Sequence, residues 1–198
     1  MDLEGVRQAI ASGDPSRSMP ALAGLRQVDA DQAVPLLLLG LEQEAFMVRS
    51  LSCAGLGFKR NEAAWGALVE ALHQDGDANV RAEAANALVS YGVERSWPLL
   101  KMAFERDGQW LVRCSILSAF AEQPEMAPGS LLELARMAVL DGDGSVRVGG
   151  AEILARLVRE EHQAADGAIG GCARELLAGL QQDPDHRVVA ASLNGLQA

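Results

Sequence analysis

The dipeptide Val-Arg recurs along this chain at a nearly constant spacing. Successive copies lie 32, 32 and 34 residues apart, and a degenerate Val-Val copy follows 42 residues after the last of them. The copies are Val48-Arg49, Val80-Arg81, Val112-Arg113, Val146-Arg147 and Val188-Val189. A period of this length is typical of repeat proteins, in which one unit cannot bury its apolar face alone. The repeat therefore predicts units that stack on one another in series.

The residues after each dipeptide have helical periodicity. Counted from the first Val, positions +4 and +7 are usually small and position +8 is apolar. Offsets 0, 4, 7 and 8 share one face of an α-helix, where small side chains let a neighbouring helix approach closely. A second amphipathic segment precedes each dipeptide, at residues 34–41, 65–72, 97–104, 131–140 and 172–180. Each repeat is therefore predicted to be a helix–turn–helix unit.

The composition favours helices as well. The chain has 33 Ala and 28 Leu among 198 residues, but only four Ile, no Thr and 4% aromatic residues. Ala and Leu are strong helix formers, whereas strands draw on β-branched and aromatic residues. We predict an all-α fold, a right-handed α-solenoid of about five to six helix pairs. We expect one domain over 1–198, with capping helices in 1–28 and five helix-pair repeats in 29–198.

The segment from Asp75 to Gly92, DGDANVRAEAANALVSYG, resembles the signature of HEAT-like repeats. More narrowly, it resembles the phycobilisome-lyase class of HEAT-like repeat proteins found in cyanobacteria, and the resemblance covers about Asp29 to Leu196. The resemblance implies one of two roles. The first is attachment or detachment of bilin chromophores on phycobiliproteins, and the second is non-catalytic scaffolding, including partnership with iron–sulfur carrier proteins. It carries no short catalytic motif, and we assign no catalytic residue.

Charge and cysteine content narrow the function classes. The net charge of −10, from 27 acids and 17 bases, disfavours nucleic acid as a partner. Three Cys about 60 residues apart form neither a disulfide framework nor a zinc spacing. No His-Glu dipeptide of the kind expected in a di-iron HEAT hydroxylase occurs, so we predict no metal site. The longest apolar run is about nine residues, too short for a membrane span, and we expect a cytoplasmic protein.

An arginine follows the Val of four repeats, and acids precede it in the turn. This series consists of Arg49, Arg81, Arg113 and Arg147, with the turn acids Asp77, Asp107 and Asp143. Arg makes rigid bidentate contacts with carboxylates. We interpret the series as a structural ladder in which each Arg pairs with a turn acid of its own or the adjacent repeat. The alternative is a row of cations that grips an acidic partner.

The opposite face of the second helix in each repeat is the predicted binding surface. If offsets 0, 4, 7 and 8 point inward, offsets 2, 5 and 6 point outward, and they carry small, almost uncharged residues. With two aromatic residues at the start of the helix, the candidate partner-binding residues are Phe46, Ser50, Cys53, Asn86, Trp110, Cys114, Leu117, Ser118 and Glu152. The alternatives are burial of these positions between repeats, and a hydrophobic staple for Phe46 and Trp110.

Cys53 and Cys114 both fall on this predicted surface. They could hold a thioether-linked bilin in transit, donate to a shared iron–sulfur cluster, or serve simply as small apolar residues, which we favour. The reactivity of Cys172 is left open by the sequence. We predict no cofactor of the chain's own, and a bilin or an iron–sulfur cluster would be met transiently through a partner.

These observations predict a non-enzymatic HEAT-repeat adaptor or scaffold that binds a protein partner along a concave groove. The first alternative is a phycobilin lyase, or a lyase subunit, that attaches or detaches bilin on phycobiliproteins of the phycobilisome. The weaker alternative is an accessory protein that stabilises a cluster on an iron–sulfur carrier. The partner would accordingly be a phycobiliprotein subunit, an iron–sulfur carrier or another protein.

Overall fold

The computed structural model describes residues 2–160 and 168–197. These residues form twelve α-helices and one 3-10 turn, Leu25–Gln27, and no strand. The helices are α1 (Leu3–Ile10), α2 (Pro15–Gly24), α3 (Ala30–Leu41), α4 (Phe46–Lys59), α5 (Glu62–Gln74), α6 (Ala78–Val89), α7 (Val93–Arg106), α8 (Trp110–Ala121), α9 (Pro128–Ala138), α10 (Gly144–Glu160), α11 (Ala168–Leu180) and α12 (His186–Leu196). The predicted all-α repeat fold of the solenoid class is confirmed, whereas its handedness stays a prediction.

The chain divides into two compact units, of which the first ends at Ile116 and the second begins at Leu117. In the first unit the second helices stack on each other, because α4 contacts both α2 and α6. The first helices form a parallel layer of contacts, α1 with α3 and α3 with α5. The helices α1, α3 and α5 also pack on the second helix of their own pair. The prediction of a single domain over 1–198 stays a prediction.

The second unit repeats this arrangement of contacts. Its long helix α10 packs against α9, α11 and α12, while α9 also contacts α11. The core is mostly aliphatic, and Val146, Leu154 and Val188 are fully buried in it. These are offsets 0 and 8 of the repeat, so the periodicity read from the sequence identifies the inward face.

A two-carboxylate turn joins the helices of three of the pairs. In α5–α6, the Asp75 carboxylate accepts a hydrogen bond from the Asp77 backbone N–H at 2.9 Å, and the Asp77 carboxylate accepts one from the Asn79 N–H at 2.8 Å. The first Asp closes the turn, and the second caps the following helix. The same two bonds recur at Asp141-Gly-Asp143 and Asp183-Pro-Asp185.

The repeat arginine joins one repeat to the next. Three of the four ladder arginines form a bidentate ion pair, through Nε and Nη2, with the turn Asp of the following repeat, and the Nε–O distance is 2.7 Å in each of the three. The pairs are Arg49–Asp75, Arg81–Asp107 and Arg147–Asp183. Both partners are at least four-fifths buried, since no side chain in these pairs exceeds 18% exposure. The pairs therefore fix the stacking distance between adjacent units.

A backbone contact completes the ladder. Nη1 of each Arg donates to the carbonyl oxygen six residues before it, which orients the guanidinium along the turn of its own repeat. Arg81 reaches Asp75 O at 2.9 Å, Arg113 reaches Asp107 O at 2.6 Å, and Arg147 reaches Asp141 O at 2.9 Å. In Arg49, Arg81 and Arg147 the guanidinium thus holds its own turn with Nη1 and the next repeat with Nε and Nη2.

Two of the predicted ladder acids were assigned wrongly. Asp107 pairs with Arg81 as predicted, but Asp77 and Asp143 are helix caps that face backbone N–H groups. The reason is the turn geometry, in which the first carboxylate of Asp-x-Asp points to the preceding repeat and the second to its own helix. The acids of the three described ion pairs are therefore Asp75, Asp107 and Asp183.

Small residues bring the stacked helices into close contact. A Cβ on Gly57 of α4 would lie 2.7 Å from Ala87 Cβ and 2.8 Å from Ala87 Cα in α6. Ser90 Oγ donates to the Gly57 carbonyl at 2.7 Å, just beyond the end of α6. The small residues Ser52, Ala84, Gly150 and Ser192 at offset +4 are all buried. The prediction that these positions permit close approach agrees with the packing.

Arg81→Ala should destabilise the first unit, because it leaves the Asp107 carboxylate partly buried without its guanidinium. We expect a loss of about 1.5–3 kcal/mol, which lowers Tm by about 3–10 °C in a calorimetric scan. Arg106→Ala removes the same charge from an exposed side chain and is the control. An unchanged Tm for Arg81→Ala, with loss of partner binding, would instead assign the Arg series to a partner.

Gly57→Ala and Gly66→Ala should change stability in opposite directions. Gly66 lies within α5 with no atom near its missing Cβ, so Ala there should stabilise by up to about 1 kcal/mol through helix propensity. Gly57→Ala gains the same propensity but must push α6 away from α4, at a cost of about 1–3 kcal/mol. Urea unfolding of both variants isolates the packing cost, and equal stabilities would refute close packing at Gly57.

Candidate functional site

The structure leaves most of the predicted binding residues accessible on the second helices. Phe46 is 40% exposed and Trp110 is 47% exposed, each at the first position of its helix. The exposed or half-buried remainder consists of Ser50, Asn86, Cys114, Ser118 and Glu152. Their accessibility permits contact with a partner, and their binding role stays a prediction.

Two of the predicted binding residues are buried, so the prediction is wrong for them. Cys53 is 0% exposed and Leu117 is 2% exposed, so neither can line a partner surface. Both stand at offset +5, as do the buried Ala85 and Ala151. Because second helices stack on second helices, this side of each helix faces the adjacent repeat. Leu117, for example, lies against Gly149 of α10, where an added Cβ would come within 2.9 Å of Leu117 Cδ1.

The environment of Cys53 makes its thiol unreactive. Burial, followed by the nearby carboxylates of Glu83 and Asp75, raises the pKa of the Cys53 thiol to about 12. The Arg49 guanidinium acts in the opposite direction but does not compensate. Since the thiolate is the nucleophile, Cys53 serves as a small apolar residue between α4 and α6. A bilin thioether at this position is incompatible with the fold.

The exposed face of α4 instead carries an apolar stripe. Met47 is 44% exposed and Phe58 is 54% exposed, while Leu51 and Ala54 between them are half-buried. The spacing of 4, 3 and 4 residues aligns these four on one side of the helix. Of the six large apolar side chains found exposed within 2–160 and 168–197, Phe46, Met47 and Phe58 all belong to α4.

An open pocket adjoins this stripe within the first unit. Its volume is about 460 Å³, in the range of pockets that hold ligands or side chains of partners. The lining residues come from α2, the 3-10 turn, α3 and α4, and they are Leu22, Ala23, Leu25, Arg26, Leu37, Leu51, Ala54, Gly55, Phe58 and Lys59. Leu22, Leu25 and Leu37 are at most 3% exposed and form its apolar floor.

Two cations and one aromatic ring form the rim of this pocket. The Arg26 guanidinium carbon lies 5.1 Å from the centre of the Phe58 ring, and Lys59 Nζ lies 5.3 Å from it. Lys59 Nζ also donates to the carbonyl of Arg26 at 3.0 Å and to that of Val28, which ties the 3-10 turn to α4. The contacts hold Phe58 upright at the mouth of the pocket, with positive charge beside it.

The apolar character is specific to α4 and does not recur on the next second helix. The equivalent positions of α6 carry Asn79, Glu83, Asn86 and Ser90. Of these, Glu83 is half-buried, and burial raises the pKa of its carboxyl group. The second-helix surface of the first unit therefore has an apolar part on α4 and a polar part on α6.

No helix among the described residues is both long enough and apolar enough to cross a membrane. Within the same residues, no three His, Cys, Asp or Glu side chains group in a way that could hold a metal ion. Arg136 Nη2 donates to Cys172 Sγ at 2.9 Å between α9 and α11, so this cysteine has a polar environment unlike that of Cys53.

The family model for HEAT repeats matches residues 34–121 of this chain. The match spans α3 to α8 and so includes the first three Val-Arg repeats. The narrower resemblance to the cyanobacterial lyase class stays a prediction. A search of the curated proteins gave no match.

Solved structures with this fold include an engineered protein and a human enzyme. The engineered protein has a TM-score of 0.54 at 20% identity, covering 100% of this chain and 98% of its own. Human deoxyhypusine hydroxylase, solved with glycerol, has a TM-score of 0.52 at 14% identity, covering 99% and 95%. At such identities the similarity shows the fold alone.

The complex of CpcE and CpcF of phycocyanin lyase from Nostoc sp. PCC7120 is also similar. Its TM-score is 0.43 at 19% identity, and the alignment covers 100% of both chains. A similarity this low supports no inference about the activity of this chain.

Thiol labelling should distinguish the three cysteines. At pH 8, iodoacetamide should modify the half-buried Cys114 and Cys172 first. Cys53 should react about a thousandfold more slowly than a free thiol, because its pKa is about 12 rather than 9.0. Mass spectrometry of peptides taken over time measures each rate, and equal labelling in denaturant is the control. Native labelling of Cys53 at the rate of Cys114 would contradict its buried position.

Proposed function

We propose that this protein is a non-enzymatic repeat adaptor that binds a protein partner along its second helices. The observation that supports this most directly is the apolar stripe and pocket on α4, in a chain whose net charge is −10. Exposed apolar groups that adjoin a pocket are a feature of binding sites in proteins.

The exposed apolar side chains of the first unit are of the kind that anchor protein interfaces. Phe46, Met47 and Phe58 are each at least 40% exposed, and Trp110 is a further exposed aromatic residue in the same unit. Aromatic residues and Met are enriched at interfaces, where a few of them supply most of the binding energy. The same fold buries most of its Leu and Ala side chains but leaves these large apolar groups exposed to solvent. A bound partner would cover them.

The polar residues of the binding surface would have a different role. Ser50 and Asn86 border the apolar part in the first unit, whereas Ser118 and Glu152 belong to the second. Polar groups around an apolar centre contribute orientation and exclude wrong partners more than they contribute affinity. We assign Phe46, Phe58 and Trp110 as anchors and the polar residues as determinants of specificity.

The bilin-lyase activity and the iron–sulfur accessory role are kept as alternatives that follow from the sequence resemblance. The buried Cys53 removes one of the two thiols that could have carried a bilin, so a lyase activity would have to use Cys114, Cys172 or no cysteine at all. A bilin or iron–sulfur absorption band in the purified complex is the readout for these roles. A cytoplasmic location is part of the same proposal.

Site-specific photo-crosslinking in the native host tests the adaptor function. A benzophenone amino acid is placed at Phe46, at Trp110 or at Glu105, which is exposed on the first-helix layer in α7. Phe46 and Trp110 should crosslink the same protein, identified from its peptides, and Glu105 should not. Equal crosslinking from all three positions would mean non-specific contact. Crosslinks from Glu105 alone would move the binding surface to the first helices and refute the proposal.

A further inference from the structure

We infer that the pocket on α4 receives an acidic amphipathic helix of the partner protein. This inference rests on the proposed function, since it names the chemistry of the segment that occupies part of the same surface. The occupant would place a large apolar side chain on the leucine floor and a carboxylate beside Arg26 and Lys59. It would lie along α4 with further apolar residues on the exposed stripe.

The shape of the site favours a helix over a compact molecule. From Met47 to Phe58 the stripe advances eleven residues, which is about 16 Å or three helical turns. Partner helices that bind in grooves use apolar anchors spaced 3–4 residues apart, the same spacing as Met47, Leu51, Ala54 and Phe58. The pocket accounts for only the Phe58 end of this length. A ligand confined to the pocket would leave Met47 uncovered.

The lining of the pocket makes room for one large side chain. Its floor is Leu22, Leu25 and Leu37, and Ala54 and Gly55 contribute almost no volume on the α4 side. An added Cβ on Gly55 would collide with Leu37, so the backbone of α4 already lies directly over the floor. An apolar side chain that enters from the open side would therefore contact Leu side chains below it and the Phe58 ring beside it.

The positive charge at the rim of the pocket favours a partner segment with negative charge. Among the ten lining residues the only charged ones are Arg26 and Lys59, although acids outnumber bases 27 to 17 in the chain. Arg26 is exposed and its guanidinium lies over the Phe58 ring, and it forms no ion pair with a carboxylate of residues 2–160 or 168–197. A carboxylate on the partner could reach this guanidinium without displacing an existing ion pair. Complementary charge at a rim mainly sets orientation and specificity.

Two helical peptides of opposite charge test this inference against the full chain. Each is about 16 residues long, stapled to hold the helix, and carries Leu anchors 3–4 residues apart. One has Glu at its flanking positions and the other has Lys. Fluorescence anisotropy should give a dissociation constant at least about tenfold lower for the Glu peptide. General attraction to a chain of charge −10 would favour the Lys peptide, so this preference must come from a local site.

Three variants locate the site. Arg26→Glu should weaken binding of the Glu peptide at least about fivefold, whereas the exposed Arg17→Glu in α2 makes the same charge change outside the pocket and should leave it unaltered. Ala54→Trp should fill the pocket and abolish binding. Because Ala54 is half-buried, its melting temperature is measured alongside, and Phe58→Ala provides a second, truncating variant that should also weaken binding.

Each other outcome overturns the inference. Tighter binding of the Lys peptide, or equal losses in Arg26→Glu and Arg17→Glu, would refute an acidic helix in this pocket. The apolar anion 1-anilinonaphthalene-8-sulfonate is the probe for a small ligand, and pocket binding that the Glu peptide fails to displace would assign the site to small anions. If neither peptide binds while Phe46 and Trp110 still crosslink a partner, the adaptor function stands and only this inference fails.

Discussion

The bidentate pair between a second-helix arginine and the turn aspartate of the following repeat is the contact on which the stacking depends. One guanidinium bonds its own turn through Nη1 and the adjacent repeat through Nε and Nη2, as Arg81 does with Asp75 O and the Asp107 carboxylate. The same aspartate also closes the turn that starts the next second helix. Stacking and helix initiation are therefore coupled, so that neither repeat can rotate without breaking charged hydrogen bonds.

This coupling explains the exposed and buried faces of the second helices. Close stacking, with Gly57 against Ala87, covers the side of α4 that holds Cys53 and leaves the side with Met47 and Phe58 open. The pocket forms where α4 meets α2 and the 3-10 turn, at the N-terminal end of the first unit. The proposed partner surface is thus a consequence of which helix side the neighbouring repeat occupies.

The sequence predicted the features that repeat and missed those that occur once. The periodic Val, Ala and Leu positions identified the helices and their inward face, and the Arg series identified the ladder. Offset +5 was predicted to face the groove, because the periodicity of a single helix does not show which of its sides the neighbouring helices cover. The prediction that Cys53 and Leu117 line a partner surface was therefore wrong. The pocket depends on Arg26 and Leu22, which precede the first repeat. The spacing of Met47, Leu51, Ala54 and Phe58 was a visible signal for the stripe.

A double-mutant cycle on Arg49 and Asp75 at two pH values tests the ladder most directly. Burial raises the pKa of Asp75, but hydrogen bonds from Arg49 and the Asp77 backbone outweigh it and lower the pKa below 3.8. The pair therefore stabilises the fold above that pH and is lost as the pH falls through the lowered value. We predict a coupling energy of about 1.5–3 kcal/mol at pH 7 that disappears once Asp75 is protonated. A coupling near zero at pH 7 would contradict the account.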